Sequence, residues 1–415
     1  MAGRILIFFL LIILIELYFL QAVRTFVQDF SPGRRSIILY TAYIIALLNF
    51  VIGIISIFYP PTQWHFLLRY IAAACLILVL CKLFGVFFLI IDDVIRFFRW
   101  VFHFFRSSGD AETLDVSHRI SRIKFFSQAA IAFTILPTVG FIYGMVRGAY
   151  KYRVHRVKVP SSKIPAAFDG FKIVQLSDIH TGSFIDNSAL SKAFDIVQSL
   201  GADMIVLTGD LVNNEAKETE GFEEVYARLK APFGVYSVLG NHDYGDYVQW
   251  DSTAAKKANL ARLKLVQENA GWRLLMNENV AIEKNGEKIV LIGIENWGGS
   301  MHFPKYGRLD EANRGTQHYP FKILLSHDPS HWDKQVRKEF RDIDLTLSGH
   351  THGMQMGIEI PGFKWSPVQY LYRFWAGLYR EGEQFLYVNR GLGFLGYPGR
   401  LGIWPEITLL ELKKV

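Results

Sequence analysis

Cysteine is nearly absent: the 415-residue chain has two, Cys75 and Cys81, inside one apolar run. On a single helix that spacing keeps the sulfurs too far apart to bridge, so no disulfide framework staples the fold. Cysteine usage therefore says nothing about redox compartment. Also lacking are a lysine- or arginine-rich arm, an internal repeat and a low-complexity tract. With a formal net charge of +7, the chain carries no extended basic surface that argues for nucleic acid as a partner. Charge is scarcest in the first 150 residues, whose apolar runs are too long for a soluble core. The basic residues there flank those runs, where membrane lipids account for them. The overall 51% hydrophobic content thus splits into a membrane region, 1–150, and one domain of ordinary size.

Four stretches are expected to cross a bilayer: 5–23, 36–58, about 67–91, and 125–146. Each offers roughly twenty residues, enough for about 30 Å of hydrocarbon. The first is longer than the apolar core of a signal peptide, and no small-x-small cleavage site follows it. It is read as an anchor. Pro137 inside the fourth span is tolerated where neighbours satisfy the freed carbonyl. Between the third and fourth, Arg96, Arg99, His103 and Arg106 recur at helical spacing among phenylalanines. An interfacial helix near 94–106 is expected, the alternative being that the third span simply continues.

Sidedness follows from flanking charge. With the N-terminus outside, the inner loops hold Arg24, Arg34, Arg35, Arg96, Arg99, Arg106, Arg119, Arg122 and Lys124. The outside holds Arg4, Arg147, Lys151, Arg153, Arg156 and Lys158. Nine against six favours a multi-pass protein of the cell membrane with its C-terminal domain on the extracytoplasmic side. Glu16 and Lys82 are the charges deepest in apolar sequence, each roughly 16–18 Å into a span running in the same direction. Asn49 on the second span reaches a similar depth. Unpaired charge is costly in hydrocarbon, so Glu16 and Lys82 are expected to face each other with Asn49 near. The alternative is a snorkelling lysine and a protonated glutamate.

Residues 151–165, basic and closed by Pro160 and Pro165, read as a linker to a soluble domain over 166–415. Short apolar runs predict strands at 171–176, 204–207, 235–239, 289–294, 322–325, 344–347, 385–388 and 407–410. Helical patterns fit 187–200, 220–229 and 253–269.

Five of those strands run directly into residues that bind metals. They deliver Asp178-Ile179-His180, Gly209-Asp210, Gly240-Asn241-His242-Asp243, Ser326-His327-Asp328 and Gly349-His350-Thr351-His352. Residues i and i+2 of an extended turn point the same way, so His350 and His352 can address one place. Any one of these could be a capped turn, since Asp, Asn and Gly favour turns for structural reasons. Five in succession make one rim of an α/β domain the expected site.

This ordered set resembles the calcineurin-like metallophosphoesterases, over about 171–412. The resemblance implies an α/β fold, an αββα sandwich, here preceded by a four-helix transmembrane region. It implies two divalent metal ions, the first held by Asp178, His180, Asp210 and His352. Asp210, Asn241, His327 and His350 would hold the second, with Asp210 bridging. The tail from Asn389-Arg390-Gly391 through Arg400 to Pro405-Glu406 looks like the membrane-attached subgroup, some of which act on lipid-linked nucleotides or simple phosphodiesters. Met354 departs from the glycine common after Gly-His-x-His-Gly.

The chemistry can be argued from the residues. A phosphodiester anion repels a nucleophile, and water is a poor one near neutrality. Two ions roughly 3.5–4 Å apart neutralise the phosphate oxygens and yield a hydroxide ready to attack. Oxygen and nitrogen donors without thiolate suit manganese, iron or zinc. His242 should flank the metals as the catalytic acid–base group, with Asp243 either orienting it or serving as a plain turn carboxylate. Arg390 and Arg400 are candidate phosphate contacts, surface arginines being the commoner outcome. His302, His318 and His331 have no partner spacing. The aromatic run 363–379 suits either a core or an apolar lid at a lipid interface. The expected activity is hydrolysis of a phosphoester or pyrophosphate bond in a phosphate-containing small molecule or lipid-linked substrate. The alternative is a membrane signalling or scaffold protein with a retired phosphoesterase domain, against which the complete ligand set argues.

Overall fold

The computed structural model describes residues 2–58, 66–105, 116–299 and 303–415. The chain divides into two compact units, Met1–Tyr143 and Gly144–Val415.

The first unit is made of helices α1 (Ala2–Phe26), α2 (Pro32–Phe58), α3 (Phe66–Phe105) and most of α4 (Val116–Val146). Each contains a stretch long and apolar enough to cross a membrane. Their surfaces expose Leu14, Ile37, Leu47, Leu80 and Leu136, the side chains lipid would solvate. Close approach is enforced at Gly85 on α3. A Cβ there would lie 2.6 Å from the Ala130 carbonyl oxygen and 2.9 Å from the Phe19 ring.

Helix α3 corrects one expectation. It runs unbroken for 40 residues, so 94–105 continues the third span rather than forming a separate interfacial helix. No glycine or proline interrupts 92–105, and Arg96 reaches back one turn to Asp92 and Asp93, carrying the helix through. Arg106 and the side chains of His103 and Arg119 lie outside the described residues.

Among the described residues, the second unit holds fourteen strands. One sheet contains β1 (Arg153–Ser161), β2 (Lys172–Leu176), β3 (Met204–Thr208), β4 (Val235–Val238), β5 (Arg273–Leu274) and β14 (Glu406–Lys414), in the order β1-β14-β2-β3-β4-β5. The other contains β6 (Glu278–Lys284), β7 (Glu287–Gly293), β8 (Lys322–Leu325), β9 (Leu345–Ser348), β12 (Gly377–Glu381) and β13 (Gln384–Val388), in the order β12-β13-β9-β8-β7-β6. A separate hairpin pairs β10 (Ile358–Ile360) with β11 (Phe363–Trp365). All eight expected strands are present.

Side-chain alternation builds the layers. On β3, Met204 and Val206 point between the sheets, and Ile205 and Leu207 point out beneath α5 (Ser188–Ser199), α6 (Glu223–Tyr226) and α7 (Thr253–Asn269). On β13, Phe385 and Tyr387 face inward while Leu386 and Val388 meet Trp332 and Val336 outside. The inter-sheet core therefore receives every second residue from both sheets, giving a helix–sheet–sheet–helix sandwich.

The segment 151–165 is not a linker. It contains β1, which pairs in parallel with β14 from Arg153↔Glu406 to Ser161↔Lys414. Its charged residues alternate with valines along an edge strand, where Pro160 is tolerated, and this hid the strand from an apolar-run search.

Candidate metal centre

All five ligand-bearing loops leave the carboxyl ends of parallel strands: β2, β3 and β4 of one sheet, β8 and β9 of the other. That rim is where open α/β sheets leave backbone groups free to build a site. Two groups of donors converge there, Asp178 with His180 and His352, and Asp210 with His327 and His350.

The local backbone is held in a conformation that side chains avoid. Asp178, His180, Asp210, His350 and His352 all have positive φ, between 49° and 70°. Each left-handed residue costs roughly 1–3 kcal/mol unless its surroundings hold it there. Here the loops lock one another. Asp178 N–H donates to the Gly209 carbonyl (2.9 Å), His180 N–H to that of Asp210 (3.1 Å), and Gly393 N–H to that of Asp178 (2.9 Å). The two halves are joined where His350 N–H donates to the Asp178 carboxylate at 2.9 Å. Gly209 must be glycine, with φ 95° and its missing Cβ directed at Gly240 N and the His327 ring. Five strained residues at one spot mark a site kept for what it does rather than for stability.

Donor atoms meet at short range. His180 Nε2 lies 3.1 Å from His352 Nε2, which is 3.2 Å from Asp178 Oδ1. In the other group His327 Nε2 is 3.1 Å from Asn241 Oδ1, and His350 Nδ1 is 2.8 Å from that same oxygen. Asp210 Oδ2 lies 3.2 Å from His327 Nε2 and 3.6 Å from His180 Nε2, so one carboxylate oxygen addresses both groups. Asn241, expected as a ligand, thus joins the second cluster through its side-chain oxygen.

The rings are oriented from behind. His327 Nδ1 faces the Thr208 carbonyl at 2.7 Å, so its N–H donates there and leaves Nε2 free for a metal. His350 does the reverse, turning Nε2 to the Tyr372 hydroxyl at 2.8 Å and Nδ1 to the centre. His352 differs, because its Nδ1 lies 3.2 Å from Arg400 Nη2.

Electrostatics point the same way. Burial presses His180 down to about 3 despite the Asp210 carboxylate, and burial also lowers His350; both are neutral, the ligand form of imidazole. Burial opposes charge on Asp178 and Asp210, yet the surrounding imidazoles hold both well below the carboxylate range. Burial likewise opposes a proton on His327, but Asp210 and Asp178 outweigh it and lift that ring to about 10, so the same carboxylates that favour a proton on Nε2 would favour a cation displacing it. Buried nitrogen lone pairs and two carboxylates converging within hydrogen-bond distance form a set that a divalent cation satisfies. The absence of thiolate fits borderline or hard ions.

His242 lies beside this set. Its ring meets His180 edge to face and Tyr247 at a tilt, and Nδ1 is 2.6 Å from the Asn213 carbonyl. Asp243 does not orient it. That carboxylate instead accepts from the N–H groups of Gly240, Asp210, Leu211 and Val212, bracing the Asp210 loop. Burial and the repulsion of Asp210 raise Asp243 to about 7.

Two further expectations change. Arg390 and Arg400, candidate phosphate contacts by residue type, are both buried and engaged by the protein itself. Arg390 is held by Glu406 and Glu359, each at 2.5 Å, and Arg400 donates to the Gly393 carbonyl. His331 is a core residue between Ser326 and Gln335, His318 stacks on Tyr319 at the surface, and His302 lies outside the described residues.

Spacing alone missed Tyr247, whose hydroxyl accepts from Asn241 Nδ2 (2.8 Å), and the role of Tyr372 against His350. Asp328, named in the Ser326-His327-Asp328 motif without a role, is buried at the rim with Oδ2 3.7 Å from His350 Nε2. The aromatic richness around Tyr372 is the one signal for that residue, and Tyr247 has none.

Comparison with known proteins agrees with this geometry. Residues 3–149 match a family model described as a probable calcineurin-like phosphoesterase transmembrane domain, and 171–354 match calcineurin-like phosphoesterase. A Danio rerio transmembrane protein with metallophosphoesterase domain is 32% identical over 70% of this chain. The chain spans 63% of that relative's length. An uncharacterised metallophosphoesterase of Bacillus subtilis, YkuE, is 31% identical over 66% of this chain and 91% of its own. The Escherichia coli phosphodiesterase YaeI is 29% identical over 71% of this chain and 99% of its own.

Proposed function

The chain belongs to the calcineurin-like phosphoesterases with a transmembrane region, and on that premise we propose that it hydrolyses phosphodiester or pyrophosphate bonds at a two-metal centre. The observation that carries this is Asp210 Oδ2, placed within 3.6 Å of ring nitrogens from both donor groups. Asp178, His180, Asp210 and His352 would hold one ion, and Asp210, Asn241, His327 and His350 the other.

Two such ions, when bound, supply the charge that neutralises a phosphoester and acidifies water. The protein's own residues do the rest. The interlocked loops keep the donors rigid, so little reorganisation accompanies binding. His242, oriented by the Asn213 carbonyl, turns Nε2 away from that contact and is placed to pass a proton to the leaving oxygen.

The substrate is taken to be a phosphate-containing small molecule or, given the membrane region, a lipid-linked one. The domain is assigned to the extracytoplasmic side on the flanking-charge asymmetry. A scaffold with a retired site is disfavoured, since retirement removes ligands and all seven candidate ligand residues are present in the sequence. Screening the purified full-length protein against phosphomonoesters, phosphodiesters and nucleotide-linked lipids, with manganese, iron or zinc added, tests this. Metal-dependent turnover of a diester or pyrophosphate is expected; turnover of none of them would overturn it.

A further inference from the structure

The β10–β11 hairpin is built inside out. Its register pairs Ile358 with Trp365 and Ile360 with Phe363, so these four share one face, while Glu359 and Lys364 share the other. In a soluble domain the apolar face turns to the core. Here the charged side chains are the ones tied to the domain: Glu359 is half-buried, and Lys364, exposed along its length, folds its ammonium group back. Glu359 meets buried Arg390 at 2.5 Å, and Lys364 Nζ reaches the Ala376 carbonyl and lies over the Trp375 ring. The apolar face is left outside, with Ile358 50%, Ile360 58% and Phe363 53% exposed. Beyond it, Tyr370 and Leu371 are exposed by 75% and 72%. Ion pairing on the inner side fixes the hairpin in this orientation, so the exposure is a built feature of the surface.

Two connections say what covers it. The strand entering the hairpin is tied by a bridge from Met356 to Leu401. The next residue back, Arg400, donates its N–H to the Gly144 carbonyl at 3.1 Å. Gly144 lies in the last candidate span, Arg122–Tyr150, and belongs to the same compact unit as the hairpin. The hairpin therefore grows from the loop that receives the chain leaving the bilayer. At its other end, Leu371 precedes Tyr372, whose hydroxyl is 2.8 Å from His350 Nε2.

We propose that the apolar face of β10–β11, with Tyr370 and Leu371, seats in the headgroup–acyl boundary of the membrane and presents the metal centre to phosphoesters carried on lipid. An aromatic and aliphatic surface suits that boundary, where burial of apolar area drives association. This rests on the hydrolase reading above for its second half only; the docking stands on the hairpin.

The test uses full-length protein in phosphatidylcholine–phosphatidylglycerol vesicles and two diesters with one leaving group. Bis(p-nitrophenyl) phosphate is soluble, and hexadecyl p-nitrophenyl phosphate sits in the bilayer. The double variant Ile360→Asp with Leu371→Asp should keep the soluble rate within about twofold and lose about tenfold or more on the lipid-borne ester. Equal effects on both esters, or none, would overturn the proposal. If the unaltered protein cleaves neither, the hydrolase reading fails and docking is judged directly. An NBD label on Ile360→Cys should be quenched by nitroxide-bearing lipids. A label that stays unquenched, or whose shift follows protein rather than lipid concentration, would assign the face to a second copy and overturn docking.

Discussion

Lys82 Nζ lies 2.6 Å from Glu16 Oε2, and both side chains are 6% exposed within the membrane unit. Asn49 Nδ2 donates to the other glutamate oxygen at 2.8 Å. Counting residues along the spans placed all three at one depth, and the helices bring them into contact. A paired charge in hydrocarbon avoids the several kcal/mol that each ion alone would lose. The snorkelling alternative is excluded by this geometry.

Reversing either charge should therefore lower the amount of folded protein. Glu16→Lys leaves two ammonium groups facing, and Lys82→Glu two carboxylates. The double swap should restore much of the folded yield, measured by size-exclusion chromatography of detergent extracts. A double variant no better than the singles would refute a pairwise contact.

At the metal centre, Asp210→Asn should abolish hydrolysis and reduce bound metal, because its oxygen is the one shared by both donor groups. His242→Ala should retain metal and slow turnover by roughly 10²–10⁴. Inductively coupled plasma mass spectrometry, run beside the kinetics, separates the two. Equal metal loss in both variants would move His242 into the ligand set.

Sidedness is checked by reporters fused after Val415. Alkaline phosphatase, active only outside the cytoplasm, should be active, and green fluorescent protein dark on Sec export. The reverse pattern would place the centre in the cytoplasm and overturn the charge argument.

Arg390 and Glu406 make a testable contribution to stability. Burial opposes charge on Glu406, but Arg390 outweighs it and holds the carboxyl at about 2, against an ordinary value of 4.5. A folded-state value below the unfolded one means stabilisation fully present above about pH 4.5 and lost as pH falls toward 2. Glu406→Gln should destabilise the protein by roughly 1–3 kcal/mol near neutrality, because Arg390 loses its fully buried partner and keeps only Glu359. Thermal melts should show that gap closing below pH 4.5. A gap that stays constant down to pH 2 would assign the effect to shape rather than charge.

Local sequence determined a good deal here. Run length alone defines a membrane span, because the bilayer acts as a uniform apolar solvent for about twenty residues. Short apolar runs located all eight expected strands, since those central strands are buried on both faces. The order of Asp, Asn and His at strand ends located the rim. Tertiary structure decided what depends on distant partners. Strand β1 took its place through β14, some 250 residues away by sequence. The aromatic run 363–379 suits a core or a lid in sequence, and Phe363 at its start is turned outward because Glu359 and Lys364 tie the other side of the hairpin to the domain. Arg390 and Arg400, surface candidates by residue type, are buried because acceptors from other segments enclose them. The shared position of Asp210 exists only once two sheets are stacked, for no local pattern records which loops a sandwich brings to one point.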